Sequence, residues 1–216
     1  GLTGFSKQCD YRLLLVAPVS LRRRIEELIR RESDHARAGR PAAIKAKMNA
    51  LVDPAIIKLL YEASQAGVQI DLVVRGVCCL RPGVPGLSDN IRVKSIIGRF
   101  LEHSRIVCFG AGQRLPSRSA KVFISSADWM GRNLTRRVET LVEIHNSTVQ
   151  AQIVGQIMAA NLADEAQSWV LRPDGSYQRD LSTVDGAAFS CHRFFMENPS
   201  LSGRGRAGAK DVQKLA

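Results

Sequence analysis

The chain has 216 residues, 45% apolar and 24% charged, with 31 Lys and Arg against 20 Asp and Glu for a formal charge of +11. This is the size of one domain, or of one domain with a short appendage, and the composition excludes collagen-like, low-complexity and wholly disordered chains. The positive excess points to a polyanionic partner: nucleic acid, polyphosphate, a nucleotide or an anionic membrane.

Residues 11–19 (YRLLLVAPV) read as a buried strand, punctuated by Pro18 and Ser20. From Leu21 to Ala38 the apolar positions Leu21, Ile25, Leu28 and Ile29 follow helical spacing, with Ser20 as the expected N-cap and Gly39 as the C-terminal glycine. Residues 43–48 (AIKAKM) alternate like a strand. Asp53-Pro54 then caps a helix that carries Ile56, Ile57, Leu60 and Ala63 on one face and stops at Gly67. Residues 68–74 (VQIDLVV) form the next strand. Strand–helix–strand–helix–strand order predicts an α/β fold with a mixed, largely parallel sheet and helices on both faces.

Residues 81–90 read as loop, with Pro82, Gly83, Pro85 and Gly86. Strands are expected at 91–97, 105–109 and 121–125, an alternating segment at 137–144, and a long helix at 148–167. Pro173-Asp174-Gly175 marks a hairpin turn. Beyond Asp180 the pattern fades, and residues 181–216 are expected to be a partly or wholly disordered tail. Between Leu201 and Ala216 four basic residues (Arg204, Arg206, Lys210 and Lys214) supply only part of the excess charge.

No apolar run approaches the roughly 18 residues of a membrane span. Residues 1–10 lack the charge-then-apolar order of a secretory signal. Of five cysteines, Cys78 and Cys79 are adjacent and Cys9, Cys108 and Cys191 are scattered, with no CxxC pair and no zinc spacing. No metal site is predicted, and the cysteine usage points to a reducing, cytoplasmic setting.

Sites in open α/β sheets gather at the carboxyl ends of strands. Polar residues end four segments here: Lys47 and Asn49, Arg75-Gly76, the stretch around His103, and Ser125 to Asp128. Arg75 has the planar, permanently charged donor set that suits a phosphate, and Gly76 would let backbone approach a ligand closely. In an extended segment His103 and Arg105 would share a face.

His103-x-Arg105, followed by Ser125-Ser126 and Asn133, resembles a half-site of the phospholipase D superfamily, with Arg105 where that pattern has Lys and Ser125-Ser126 where it has Gly-Ser. The longer runs are more specific. IKAKMNALVDP at 44–54, VRGVCCLRPG at 74–83, RFLEHSR at 99–105 and SSADWMGRN at 125–133 look like the C-terminal part of a bacterial polyphosphate kinase, in order along residues 2–180.

That resemblance implies a phospholipase D-like domain over 14–180, with 1–13 the end of a preceding catalytic domain. It implies an enzyme that reversibly transfers the terminal phosphate of ATP to inorganic polyphosphate through a phosphohistidine. Arg75 matches the family's nucleotide-phosphate arginine. His103 matches its second active-site histidine, an acid/base or auxiliary group at the ATP phosphates. The phosphorylated histidine, further ATP contacts and the residues associated with Mg2+ belong to preceding domains. The chain thus supplies the ATP-phosphate half of a site, inactive or weak alone, with those N-terminal domains as its partners and a homo-oligomer expected at full length. Location is expected to be cytoplasmic, with membrane association only through partners, and no specific nucleic acid is expected.

Basic side chains holding a polyphosphate chain are sought among Lys45, Lys47, Arg81, Arg99, Arg105, Arg132, Arg136 and Arg137, with Lys47, Arg105 and Arg132 preferred. Asn49, Asp128 and Asn133 are expected to support the site's backbone. Two other classes remain open: a phospholipase D-like phosphodiesterase or nuclease completing its site as a homodimer, and a non-catalytic polyanion-binding module.

Overall fold

The computed structural model describes residues 14–179 and 188–198. Among the described residues nine strands form one sheet: β1 (Leu14–Ala17), β2 (Ala43–Met48), β3 (Gln69–Val74), β4 (Ile91–Ile96), β5 (Ile106–Phe109), β6 (Lys121–Ser125), β7 (Glu139–Glu143), β8 (Ser168–Leu171) and β9 (Tyr177–Arg179). Their order is β1-β7-β6-β5-β2-β3-β4-β8-β9.

The helices cover both faces. Alternation along the strands divides the core. Ile44, Ala46, Ile70, Leu72 and Val74 pack with α1 (Leu21–Arg37) and α2 (Pro54–Gln65), through Leu21, Ile25, Ile56 and Leu60. On the other face Ile106, Cys108 and Val122 meet Ile153, Val154 and Met158. Val73 and Ile96 meet Ala160, Cys191 and Phe194. Those partners come from a continuous helical segment and from a last helix. The segment runs through α4 (Ser147–Gln152), a π-helical stretch Ile153–Met158 and α5 (Ala159–Ala163), after the short α3 (Gly131–Thr135). The last helix is α6 (Cys191–Glu197). Among the described residues no helix is long and apolar enough to cross a membrane.

The sheet is mixed, as expected, but it is not largely parallel. Only β2–β3 and β3–β4 are parallel pairs; the other six pairings are antiparallel. A parallel crossover needs a dozen or more residues, usually a helix. α2 supplies one between β2 and β3. The helix-free connection at 97–105 is too short for one, so the chain turns back and β5 pairs antiparallel with β2. The same holds for the helix-free loop between β5 and β6.

Asp53 caps α2 as its sequence predicts, Oδ1 accepting from the Ala55 and Ile56 N–H groups at 3.1 Å each. Arg22 of α1 grips the same carboxylate at 2.9 and 3.0 Å, locking the two helices together. Ser20 does not cap α1 with its side chain; its hydroxyl turns back to accept from the Val16 N–H. The helix expected at 148–167 stops at Ala163. There Asp164 goes extended, and its carboxylate accepts from the Gln167 and Cys191 N–H groups. Of the stretch 181–216, residues 188–198 are described and contain α6; its other residues, and residues 1–13, lie outside the described residues.

Candidate functional site

The strand directions bring the polar segment ends to one edge. β2, β3 and β4 end there, β5 begins there because it runs against β2, and β6 ends there because it runs against β5. Arg75 and Lys47 follow the same alternation, so both side chains extend over the face that carries Val73 and Ile96.

His103, Arg105 and Asp128 form one side of the site. Arg105 makes a two-pronged contact with Asp128: Nε to Oδ1 at 3.2 Å and Nη2 to Oδ2 at 3.0 Å. Its third nitrogen, Nη1, lies 2.8 Å from His103 Nδ1. A guanidinium donates and never accepts. Nδ1 is therefore the acceptor, and the neutral imidazole carries its proton on Nε2. Asp128 Oδ1 also takes the Asn49 and Ala50 N–H groups, at 2.7 and 3.3 Å, and the Asn49 amide nitrogen at 3.3 Å. Burial alone would raise the Asp128 pKa, but these donors, Arg105 foremost, hold it below the usual aspartate range.

Glu102 organises the other side. Its carboxylate meets Lys47 Nζ and accepts from the Ser104 hydroxyl at 2.7 Å and from the His103 and Ser104 N–H groups at 3.0 and 3.1 Å. Its main-chain carbonyl accepts from Arg75 Nη1 at 2.8 Å. Burial works to raise the Glu102 pKa, yet Lys47 and Ser104 overcome it and bring the carboxyl down to about 2. The cluster sets three cations (Lys47, Arg75 and Arg105) against two carboxylates, which leaves the edge receptive to an anion.

Arg132 and Asn133 lie on α3. Arg132 is exposed, and among the described residues its side chain has no hydrogen-bond or ion-pair partner. Asn133 is buried and donates to Glu139 Oε1 at 2.7 Å, so it ties α3 to β7. Gly76 makes its close approach to protein: a Cβ there would sit 3.0 Å from the Asn49 carbonyl oxygen. Glu102 and Ser104 were not singled out from the sequence. The available signal was Glu102's place between the apolar pair Phe100-Leu101 and His103, two residues before Ser104.

Residues 14–189 match the family model described as polyphosphate kinase C-terminal domain 2. The chain belongs to that family. A polyphosphate kinase from Erythrobacter litoralis is 58% identical over all 216 residues, which cover 30% of that protein. One from Thermosynechococcus vestitus is 56% identical over 90% of this chain and 26% of its own length. The crystal structure of polyphosphate kinase from Porphyromonas gingivalis superimposes with a TM-score of 0.84 and 36% identity, covering 92% of this chain and 29% of that one. The chain thus spans about a third or less of the polyphosphate kinases it matches. A phospholipase D family member, Nuc from Salmonella typhimurium, overlaps at a TM-score of 0.45 and 14% identity, too loosely to carry an argument.

Proposed function

We propose that this domain holds the terminal phosphates of ATP for a polyphosphate kinase whose remaining catalytic groups lie in other parts of the same polypeptide. In the full reaction a histidine nitrogen outside this chain attacks the terminal phosphorus. A P–N bond forms as the P–O bond to ADP breaks. The end oxygen of a polyphosphate chain then takes the phosphoryl group and frees the histidine, and every step is reversible.

What supports this reading is the meeting of Arg75 and His103 at one cationic edge in a member of this family. Arg75 would neutralise phosphate charge where it develops. His103, with its proton on Nε2, is arranged to donate to a phosphoryl or leaving oxygen rather than to attack phosphorus. Arg105 would fix that tautomer, and Asp128 would fix Arg105. The other three histidines are poorly placed to act as a nucleophile at this edge. His35 lies at the end of α1 and His145 beyond the end of β7, both toward the opposite edge, and His192 is buried.

Magnesium, when bound, would supply charge neutralisation at the phosphates. Among the described residues no three His, Cys, Asp or Glu side chains gather to hold a metal, and Asp128 is occupied by Arg105 and backbone N–H groups. A cytoplasmic, homo-oligomeric enzyme is the setting we propose for the whole protein.

Calorimetric titration with ATP tests the reading. Arg75→Ala is expected to weaken binding by roughly 10- to 100-fold, the loss of one charge-assisted contact, with the melting temperature little changed. Unchanged affinity in that variant would refute the assignment.

A further inference from the structure

Lys47 and Arg75 end neighbouring parallel strands and extend over the same face, yet both are already engaged by a single residue. The Glu102 carboxylate meets the Lys47 ammonium, and the Glu102 carbonyl takes Arg75 Nη1. Two oxygens of one residue thus face two cations, as two oxygens of one phosphoryl group would.

The Lys47 side chain is only 7% exposed. Removing the carboxylate with nothing in its place would leave a buried ammonium short of its counter-charge, which is costly. The segment that supplies Glu102 is lightly built. Residues 97–104 form no helix or strand, and Ile97, Phe100 and Leu101 are exposed, Leu101 to 81%. The segment is tied at its start by the Ile97 N–H donating to the Gln167 carbonyl at 3.0 Å, and further on by the Phe100 N–H donating to His192 Nδ1 at a long 3.4 Å. The opposite side of the site contrasts with this, because Asp128 is fixed by main-chain donors next to strand ends.

We infer that Glu102 is an internal stand-in for phosphate. In the unliganded chain it occupies Lys47 and Arg75; an incoming terminal phosphate displaces both of its oxygens and makes Lys47 a phosphate ligand beside Arg75. The exchange presupposes that Arg75 binds phosphate, as proposed above. It favours ligands with more than one negative charge at the terminal group, because a monoanion offers nothing that Glu102 does not. A nucleoside triphosphate and an oligophosphate both end in such a group.

Titrating the 216-residue chain with inorganic tripolyphosphate and, separately, with ATP distinguishes the outcomes. Glu102→Gln removes the competing charge and keeps the shape, so it is expected to bind about tenfold more tightly, and the gain should vanish when Lys47→Met is added. A gain with both probes places the exchange at the terminal phosphate they share; a gain with one assigns it to that ligand. In the wild-type chain, added tripolyphosphate should speed hydrogen exchange at the His103 and Ser104 amides, which donate to Glu102, although binding ordinarily slows exchange. That measurement decides the matter if Glu102→Gln fails to fold.

Equal or weaker binding by Glu102→Gln, with slowed exchange at those amides, would overturn the stand-in role while leaving Arg75-dependent binding intact. No binding of either probe by the wild-type chain would overturn the phosphate-site reading along with it.

Discussion

At one end of the charged edge Asp128, 11% exposed, accepts from the Arg105 guanidinium and from the main chain after β2. At the other end Glu102, 41% exposed, sits on a segment without regular structure and meets the Lys47 ammonium. Both carboxyls are held below their ordinary range by cations and N–H donors. Their surroundings separate them. Asp128 is joined to the loop before α2, where Trp129 also bonds through its backbone to Ala50, Val52 and Asp53. Asp128 takes its main-chain donors from another part of the fold, after β2, whereas Glu102 takes its two, His103 and Ser104, from its own surface segment. The first carboxylate is tied to the framework and the second can leave with its segment.

The largest test of that contrast is Asp128→Ala. It strands the Arg105 guanidinium, 15% exposed, and leaves the Asn49 and Ala50 N–H groups short of an acceptor. A loss of about 3 kcal/mol in urea unfolding is expected; a loss as small as that of a surface substitution would erase the distinction. Glu102→Ala should cost less, about 1 to 2 kcal/mol at neutral pH: Lys47, only 7% exposed, loses its carboxylate, but Glu102 itself is 41% exposed, so solvent reaches the vacated place.

Acid unfolding comes next in size. Both carboxyls have folded pKa values below their unfolded ones, so their stabilisation is present above the unfolded values and is lost as pH falls. For Glu102 the loss runs from the ordinary glutamate value of 4.5 down to about 2. Glu102→Gln should flatten that part of the stability curve, and an unaltered curve would contradict the assigned pairing. Smallest of all, Leu101→Ser should shift stability by no more than about 0.5 kcal/mol, since its side chain packs on little. A large shift would show the segment to be as firmly built as the Asp128 side.

Part of this arrangement was legible in the sequence and part was not. Asp53-Pro54 and Gly67 bound α2 through local chemistry, and the alternation in AIKAKM put Lys45 and Lys47 on the face opposite Ile44. The convergence of Lys47, Arg75, His103 and Asp128 followed from placing strand ends together. Strand direction did not follow, because nothing local in residues 97–105 records whether the chain crosses over or turns back. Glu102 was missed because a lone glutamate in an aperiodic segment carries no pattern, and its partner Lys47 lies far away along the chain. Arg105 and Asp128 share that difficulty: their pairing becomes visible only once β5 and β6 lie side by side.

The most direct measurement gives the 216-residue chain ATP, magnesium and a short polyphosphate primer, and follows both nucleotide binding and chain growth. ATP binding that depends on Arg75 is expected, and no growth, because on the proposed mechanism the attacking histidine lies outside this chain. Growth at a rate near that of an intact polyphosphate kinase would mean that these 216 residues hold a complete active site, and would contradict the proposed half-site.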